Sequence, residues 1–140
     1  MGKNRLVIDP DYDFELTGII SPAREYKLAW ELNKRLEIHL IKQEDIHLNF
    51  LKEGSLIISN YLFESGAFQC RLIRNKSINQ SDNKVVHLLS ELQKFDFLLI
   101  RKGINKRDAG IISKIKEIPL VNFVSLFDVS EIKAKENLIF

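Results

Sequence analysis

The chain has 140 residues, 45% of them hydrophobic and 29% charged, with a net charge of +2. That suffices for one domain with a sizeable core, and a charge so nearly balanced does not by itself call for a polyanionic partner. One cysteine, Cys70, rules out an internal disulfide, no Cys/His pair stands at metal-ligand spacing, and no apolar run approaches the roughly 18 residues of a membrane span.

A reducing cytosol is therefore the expected compartment, with no membrane association and no cofactor. The apolar run at 6–8 stops at Asp9-Pro10, too short for a signal peptide, and Leu6 stands where a myristoylation motif needs Ser or Thr. A strand is expected over 5–8 and another over 16–20. Between them Asp9, Asp11 and Asp13 alternate as in the first half of a calcium loop. The sixth position of such a loop, which needs Gly, is Phe14, and the twelfth, which needs Glu, is Ile20. A solvated acidic turn is the favoured reading.

Ser21-Pro22 has the chemistry of a helix start, a capping hydroxyl followed by proline at the first helical position. The helix should run to Leu36, with Leu28, Ala29, Leu32 and Leu36 on one face and Tyr26 and Trp30 at its edge. Core packing is the favoured role for Trp30, and a partner-binding anchor is the alternative. Strands are expected over 38–41 and, by the alternation of Ile46, Leu48 and Phe50, over 46–50. The stretches 55–63 and 68–74 also alternate and are joined by Glu64-Ser65-Gly66-Ala67, which reads as an antiparallel hairpin with Phe68, Cys70 and Leu72 facing inward. Cys70 reads as a buried structural thiol, since His39, His47 and His87 make no recognisable arrangement with it. The polar stretch 75–83 reads as a mobile loop.

The stretch LSELQKFDFLLIRK at 89–102 is the most apolar on both faces. Phe95, Phe97 and Leu99 would share one side of a strand and Leu98 and Ile100 the other, which is the pattern of a covered central strand. Leu89, Ser90 and Glu91, then three residues, then Phe95, Asp96 and Phe97 resemble the signature of the small bacterial IPExxxVDY family. Glu91 and Asp96 are identical to it. Leu89, Phe95 and Phe97 exchange one apolar side chain for another, and Ser90 replaces the signature proline. REYKLAWELNKRL and the end IKAKENLIF resemble that family's early helix and C-terminus. The resemblance implies no activity, because the family has none established. It does bear on 84–89, whose spacing fits strand or helix. A family proline at Ser90 would break a helix, so a strand is expected there, then one helical turn begun by Ser90 with Gln93 at capping-box spacing.

After Gly103, Asn105 and Asp108 open a helix whose apolar face is Ile111, Ile112, Ile115 and Ile118, ended by Pro119, and 120–127 is a last strand. Strand, helix and strand make a C-terminal βαβ unit. The expected fold class is α+β, a single domain with a mixed sheet and two main helices.

No phosphate loop, nucleophile elbow or paired histidine motif is present. Glu91 and Asp96 could serve as acid and base, but a structural role is favoured for both, at a helical first turn and on a backbone group. Arg101, Lys102, Lys106 and Arg107 form a basic patch for an anion or nucleic acid, with a solvated charged face as the favoured reading. Leu138, Ile139 and Phe140 either plug the domain or dock on a partner, the plug being favoured. The functional reading is a non-enzymatic protein-interaction module with an unknown protein partner. An RNA-binding accessory protein using 101–107 is the alternative.

Overall fold

The computed structural model describes residues 12–50, 54–78, 85–103 and 110–140. In chain order these form β1 (Phe14–Ile20), α1 (Glu25–Leu36), β2 (Ile41–Lys42), β3 (Ile46–Phe50), β4 (Gly54–Ile58), β5 (Asn60–Ser65), β6 (Phe68–Arg74), β7 (Phe97–Lys102), α2 (Gly110–Lys116) and β8 (Phe123–Phe127). Six strands make one sheet in the order β2-β5-β6-β7-β1-β8, and β3 pairs with β4 in a separate hairpin. The fold is α+β. Every ladder among the described residues is antiparallel. Since β7 and β8 both oppose β1, they run parallel to each other with β1 between them, a split form of the expected βαβ unit. Among the described residues no helix is long and apolar enough to cross a membrane.

Because side chains alternate along a strand, the sheet carries two cores. On one face Ile19, Cys70, Leu72, Phe97, Leu99 and Val124 meet Leu28, Ala29 and Leu32 of α1 and Ile111 and Ile115 of α2. On the other, Leu16, Ile73, Leu98 and Ile100 lie beneath Leu56 and Ile58 of β4, Leu88 and Leu89, and the C-terminal residues Val129, Ile132 and Leu138. Strand β7 is thus covered on both sides, as its double apolar pattern predicts. Phe95 lies just before it and packs edge-on to Phe127, with ring centroids 5.0 Å apart. Gly18 of β1 makes room for that pair, because a Cβ there would come within 2.7 Å of both rings. Gly103 turns the chain after β7 with φ of 76°, and a Cβ there would lie 2.0 Å from the Ala67 carbonyl oxygen.

Several boundaries depart from the sequence reading. Helix α1 begins at Glu25, with Arg24 as an N-cap that has no side-chain bond. Ser21 does not cap it, because its hydroxyl donates to the Leu120 carbonyl at 2.6 Å and accepts from the Ala23 N–H. The strand expected over 38–41 shrinks to Ile41–Lys42, and that expected over 120–127 begins at Phe123. The run 55–63 is two strands, since the chain leaves the small hairpin for the main sheet at buried Ser59. Of the 75–83 stretch expected to be a mobile loop, Asn75 and Ser77 are buried and bonded, and 79–83 lie outside the described residues. Ser90–Leu92 is a single 3-10 turn without the expected side-chain cap. The expectations for 5–8, Asp9, Asp11, Asn105 and Asp108 fall outside the described residues.

Candidate functional site

The basic patch is taken apart by tertiary structure. Arg101 is 8% exposed and lies opposite Glu15 of β1. Its Nε donates to Glu15 Oε1 at 3.1 Å and its Nη2 donates to the same oxygen. A guanidinium so enclosed cannot neutralise a phosphate at the surface, which corrects the reading of Arg101 as an exposed anion contact. Lys102 is half-buried, its Nζ 5.8 Å from the Phe14 ring centre. Lys106 and Arg107 lie outside the described residues.

The two carboxylates of the family-like motif hold backbone. Asp96 Oδ2 accepts from the Ser21 N–H at 2.9 Å, which ties the exit of β1 to the entry of β7. Glu91 Oε1 accepts from the Ala134 N–H at 3.1 Å, which ties the C-terminal turns to the segment before β7. Both residues are exposed, and no bond joins one to the other. At the C-terminus Leu138 is buried in the second core, while Ile139 and Phe140 stay partly exposed and the Phe140 ring lies 5.5 Å from the Arg71 guanidinium carbon. Leu138 therefore acts as the plug, and Asn137 anchors it by donating to the Leu88 carbonyl at 2.9 Å.

Cys70 is fully buried. Burial pushes its thiol up to about 12, against a weaker opposing pull from Arg101. Since only the thiolate is nucleophilic and a free cysteine titrates near 8.5, its thiolate fraction at neutral pH falls by about three orders of magnitude. In the folded protein Cys70 should react with iodoacetamide at least about a hundredfold more slowly than in urea. Equal rates in the two states would mean that the thiol is accessible.

The structure instead directs attention to the start of α1. A cleft of about 500 Å³ lies between the first turn of α1 and strands β2, β5 and β6, lined among others by Arg24, Tyr26, Lys42, Tyr61 and Arg74, with Phe97 also on its wall. Arg74 pairs with Glu25 at 3.8 Å, and Lys42 reaches Asp45 at 3.1 Å and the Ser59 hydroxyl at 2.7 Å. Arg24 forms no ion pair among the described residues, and the uncapped helix start adds partial positive charge. Burial, with a smaller contribution from the Glu25 charge, raises the Tyr61 hydroxyl above its ordinary value, so it remains a hydrogen-bond donor at neutral pH.

One turn beyond Tyr26 on the same side of α1 stands Trp30. It is 52% exposed, with Lys34 Nζ 3.9 Å and Lys27 Nζ 5.2 Å from its ring centre. Core packing of Trp30 is thereby overturned. Its place at the edge of the apolar face allowed either outcome, and no element of the described structure covers it. Tyr26, 62% exposed, continues the aromatic stripe toward the cleft. Among the described residues no cluster of His, Cys, Asp or Glu could hold a metal ion.

No protein-family model matches the chain, no curated protein matches it, and no solved structure matches it. The functional reading therefore rests on this surface. It offers two exposed aromatic rings, a hydroxyl donor and five cationic side chains, of which Lys34, Lys42 and Arg74 pair with Glu31, Asp45 and Glu25, while Arg24 and Lys27 have no ion pair among the described residues. Such a surface can hold an acidic chain that also carries an apolar side chain. The spacing of Tyr26 and Trp30 was readable in the sequence. The cleft was not, because its walls come from segments far apart in the chain.

Proposed function

We propose that the protein is a non-enzymatic interaction module, and that the Tyr26–Trp30 surface of α1 with its adjoining cleft receives an acidic segment of another protein. The observation that supports this most is the exposure of Trp30 between two lysines. Tryptophan is enriched among the residues that carry binding energy at interfaces, and Trp30 stands half in water on a helix whose buried side chains are Leu28, Ala29 and Leu32. The surplus of cations over acids selects the sign of the partner. RNA is the weaker reading, because Arg101 is spent on Glu15. Kinship with the IPExxxVDY family remains a proposal resting on Glu91 and Asp96, and their bonds to backbone N–H groups give that pair a structural reason.

Trp30 is the chain's one tryptophan, so its own fluorescence reports on the surface. A Glu/Asp-rich peptide with interleaved Leu and Phe should shift that emission to the blue saturably, and a Lys-rich counterpart should not. Trp30→Ala should weaken binding of a labelled copy of the acidic peptide by about 2 kcal/mol, roughly 30-fold, while leaving the melting temperature unchanged. Unaltered affinity in the variant, or equal binding of both peptides, would remove this surface from consideration. Preferential binding of an RNA oligonucleotide with a steep salt dependence would favour the nucleic-acid reading instead.

A further inference from the structure

A second cavity lies on the helix side of the sheet, away from the α1 cleft. Its floor is a row set by strand register. Phe63 of β5 faces Cys70 of β6, Cys70 faces Arg101 of β7, and Arg101 faces Glu15 of β1. The cavity has a volume of about 280 Å³, with apolar walls from Leu36, Ile38, Phe63 and Phe68 and two cationic side chains, Arg101 and Lys114. The volume falls just below the usual range for drug-sized ligands, which points to a smaller molecule.

The charges here are unevenly used. Both bonding donors of Arg101, Nε and Nη2, converge on Glu15 Oε1. Its Nη1 makes no bond to a described residue, and Glu15 Oε2 is buried without a partner among the described residues. Glu15 balances the charge of Arg101, and neither residue is more than a tenth exposed. Lys114, on α2, has no ion-pair partner among the described residues, so the cavity carries one uncompensated positive charge. A single negative charge completes it, and Leu36, Ile38, Phe63 and Phe68 suit an apolar body, with Ser65 and Cys70 also on the lining.

We propose that this cavity binds a small monocarboxylate with an apolar chain or single ring, its carboxylate held between Arg101 Nη1 and Lys114 and its body against Phe63, Phe68, Ile38 and Leu36. The carboxylate supplies the acceptor that Nη1 lacks, in the planar geometry a guanidinium prefers. The site is separate from the surface proposed for the acidic partner, and either can fail without the other.

The test is a two-dimensional NMR titration of the full chain with octanoate and phenylacetate, using octylamine and octanol as controls for charge. Saturable shifts at Ile38, Phe63, Phe68, Cys70 and Lys114 are expected with the acids and not with the amine, with octanol at least fivefold weaker. Lys114 is exposed, so Lys114→Met should fold normally, and it should weaken octanoate at least fivefold. Phe63→Trp should abolish the shifts by filling the space. Acid, alcohol and amine binding alike, shifts centred elsewhere, or no shift at millimolar acid would each overturn the proposal. So would undiminished octanoate binding by Lys114→Met.

Discussion

Asn75→Ala should destabilise the protein by about 4 kcal/mol, a large share of the roughly 5–15 kcal/mol that holds a domain of this size together. Asn75 is fully buried just beyond the end of β6. Its Nδ2 reaches the carbonyls of Leu89, Leu92 and Phe95 at 3.2, 3.0 and 3.2 Å, and its Oδ1 accepts from the Leu89 N–H at 2.7 Å. Its own N–H donates to the Asp96 carbonyl at 2.9 Å. One side chain thus satisfies the irregular backbone of 89–95 from its inner side, where Asn75 itself and the Leu89 backbone groups it bonds are buried. Truncation leaves a buried N–H and at least one carbonyl unsatisfied, at about 1–3 kcal/mol each. Urea unfolding should show the midpoint lowered by about 2 M with the slope unchanged. A loss under 1 kcal/mol would mean that water replaces the side chain.

Asn75→Asp sharpens the test. The introduced carboxylate keeps the acceptor for the Leu89 N–H but turns negative charge toward three carbonyl oxygens, so its folded pKa must lie above its unfolded one. The folded state then binds more protons, and stability should be greatest in acid and fall as pH rises through the folded pKa. Stability of that variant rising between pH 4 and pH 7, relative to the parent chain, would contradict the bonding described.

The second large effect concerns Glu15 and Arg101. Removing one member of a buried ion pair strands the other charge in a medium that solvates it poorly, at about 3–5 kcal/mol. Arg101→Met and Glu15→Leu should each cost that much. The double substitution should recover to within about 1 kcal/mol of the parent, because the pair's Coulombic attraction does little more than offset its desolvation. Glu15 Oε2 and the nearby Thr17 hydroxyl, both buried and without a partner among the described residues, keep the net contribution of the pair small. A double-mutant cycle in urea reads the coupling directly. Additive losses would show that the two charges do not depend on each other.

Most of the regular structure could be read from residue order. The two-faced apolar run of β7, the turn at 64–67 between β5 and β6, and the apolar faces of α1 and α2 all follow from periodicity, which reports which side chains share a side of an element. Periodicity says nothing of what lies opposite. The 55–63 run alternates without interruption, yet Ser59 divides it between two sheets, because what separates Ile58 from Asn60 is the partner each meets.

Polar residues were the harder case. Asn75 and Ser77 look like loop residues because nothing nearby in sequence needs them. Their side chains bond backbone groups distant in sequence, among them those of Leu89 and Ile57. Arg101 reads as one of a basic cluster until Glu15, 86 positions earlier, is brought beside it by the β1–β7 register. Trp30 shows the converse, an apolar side chain whose helix edge was correctly placed and whose neighbours turned out to be lysines.

The amino-acid order by itself thus determined the class of fold, the positions of most strands and helices, and the residues that face inward. Those depend on the local repeat of apolar side chains. Tertiary structure alone decided which charges are spent inside the protein and which remain for a partner, because a charge is neutralised by whatever lies within a few ångströms of it, and that neighbour is rarely close in the chain.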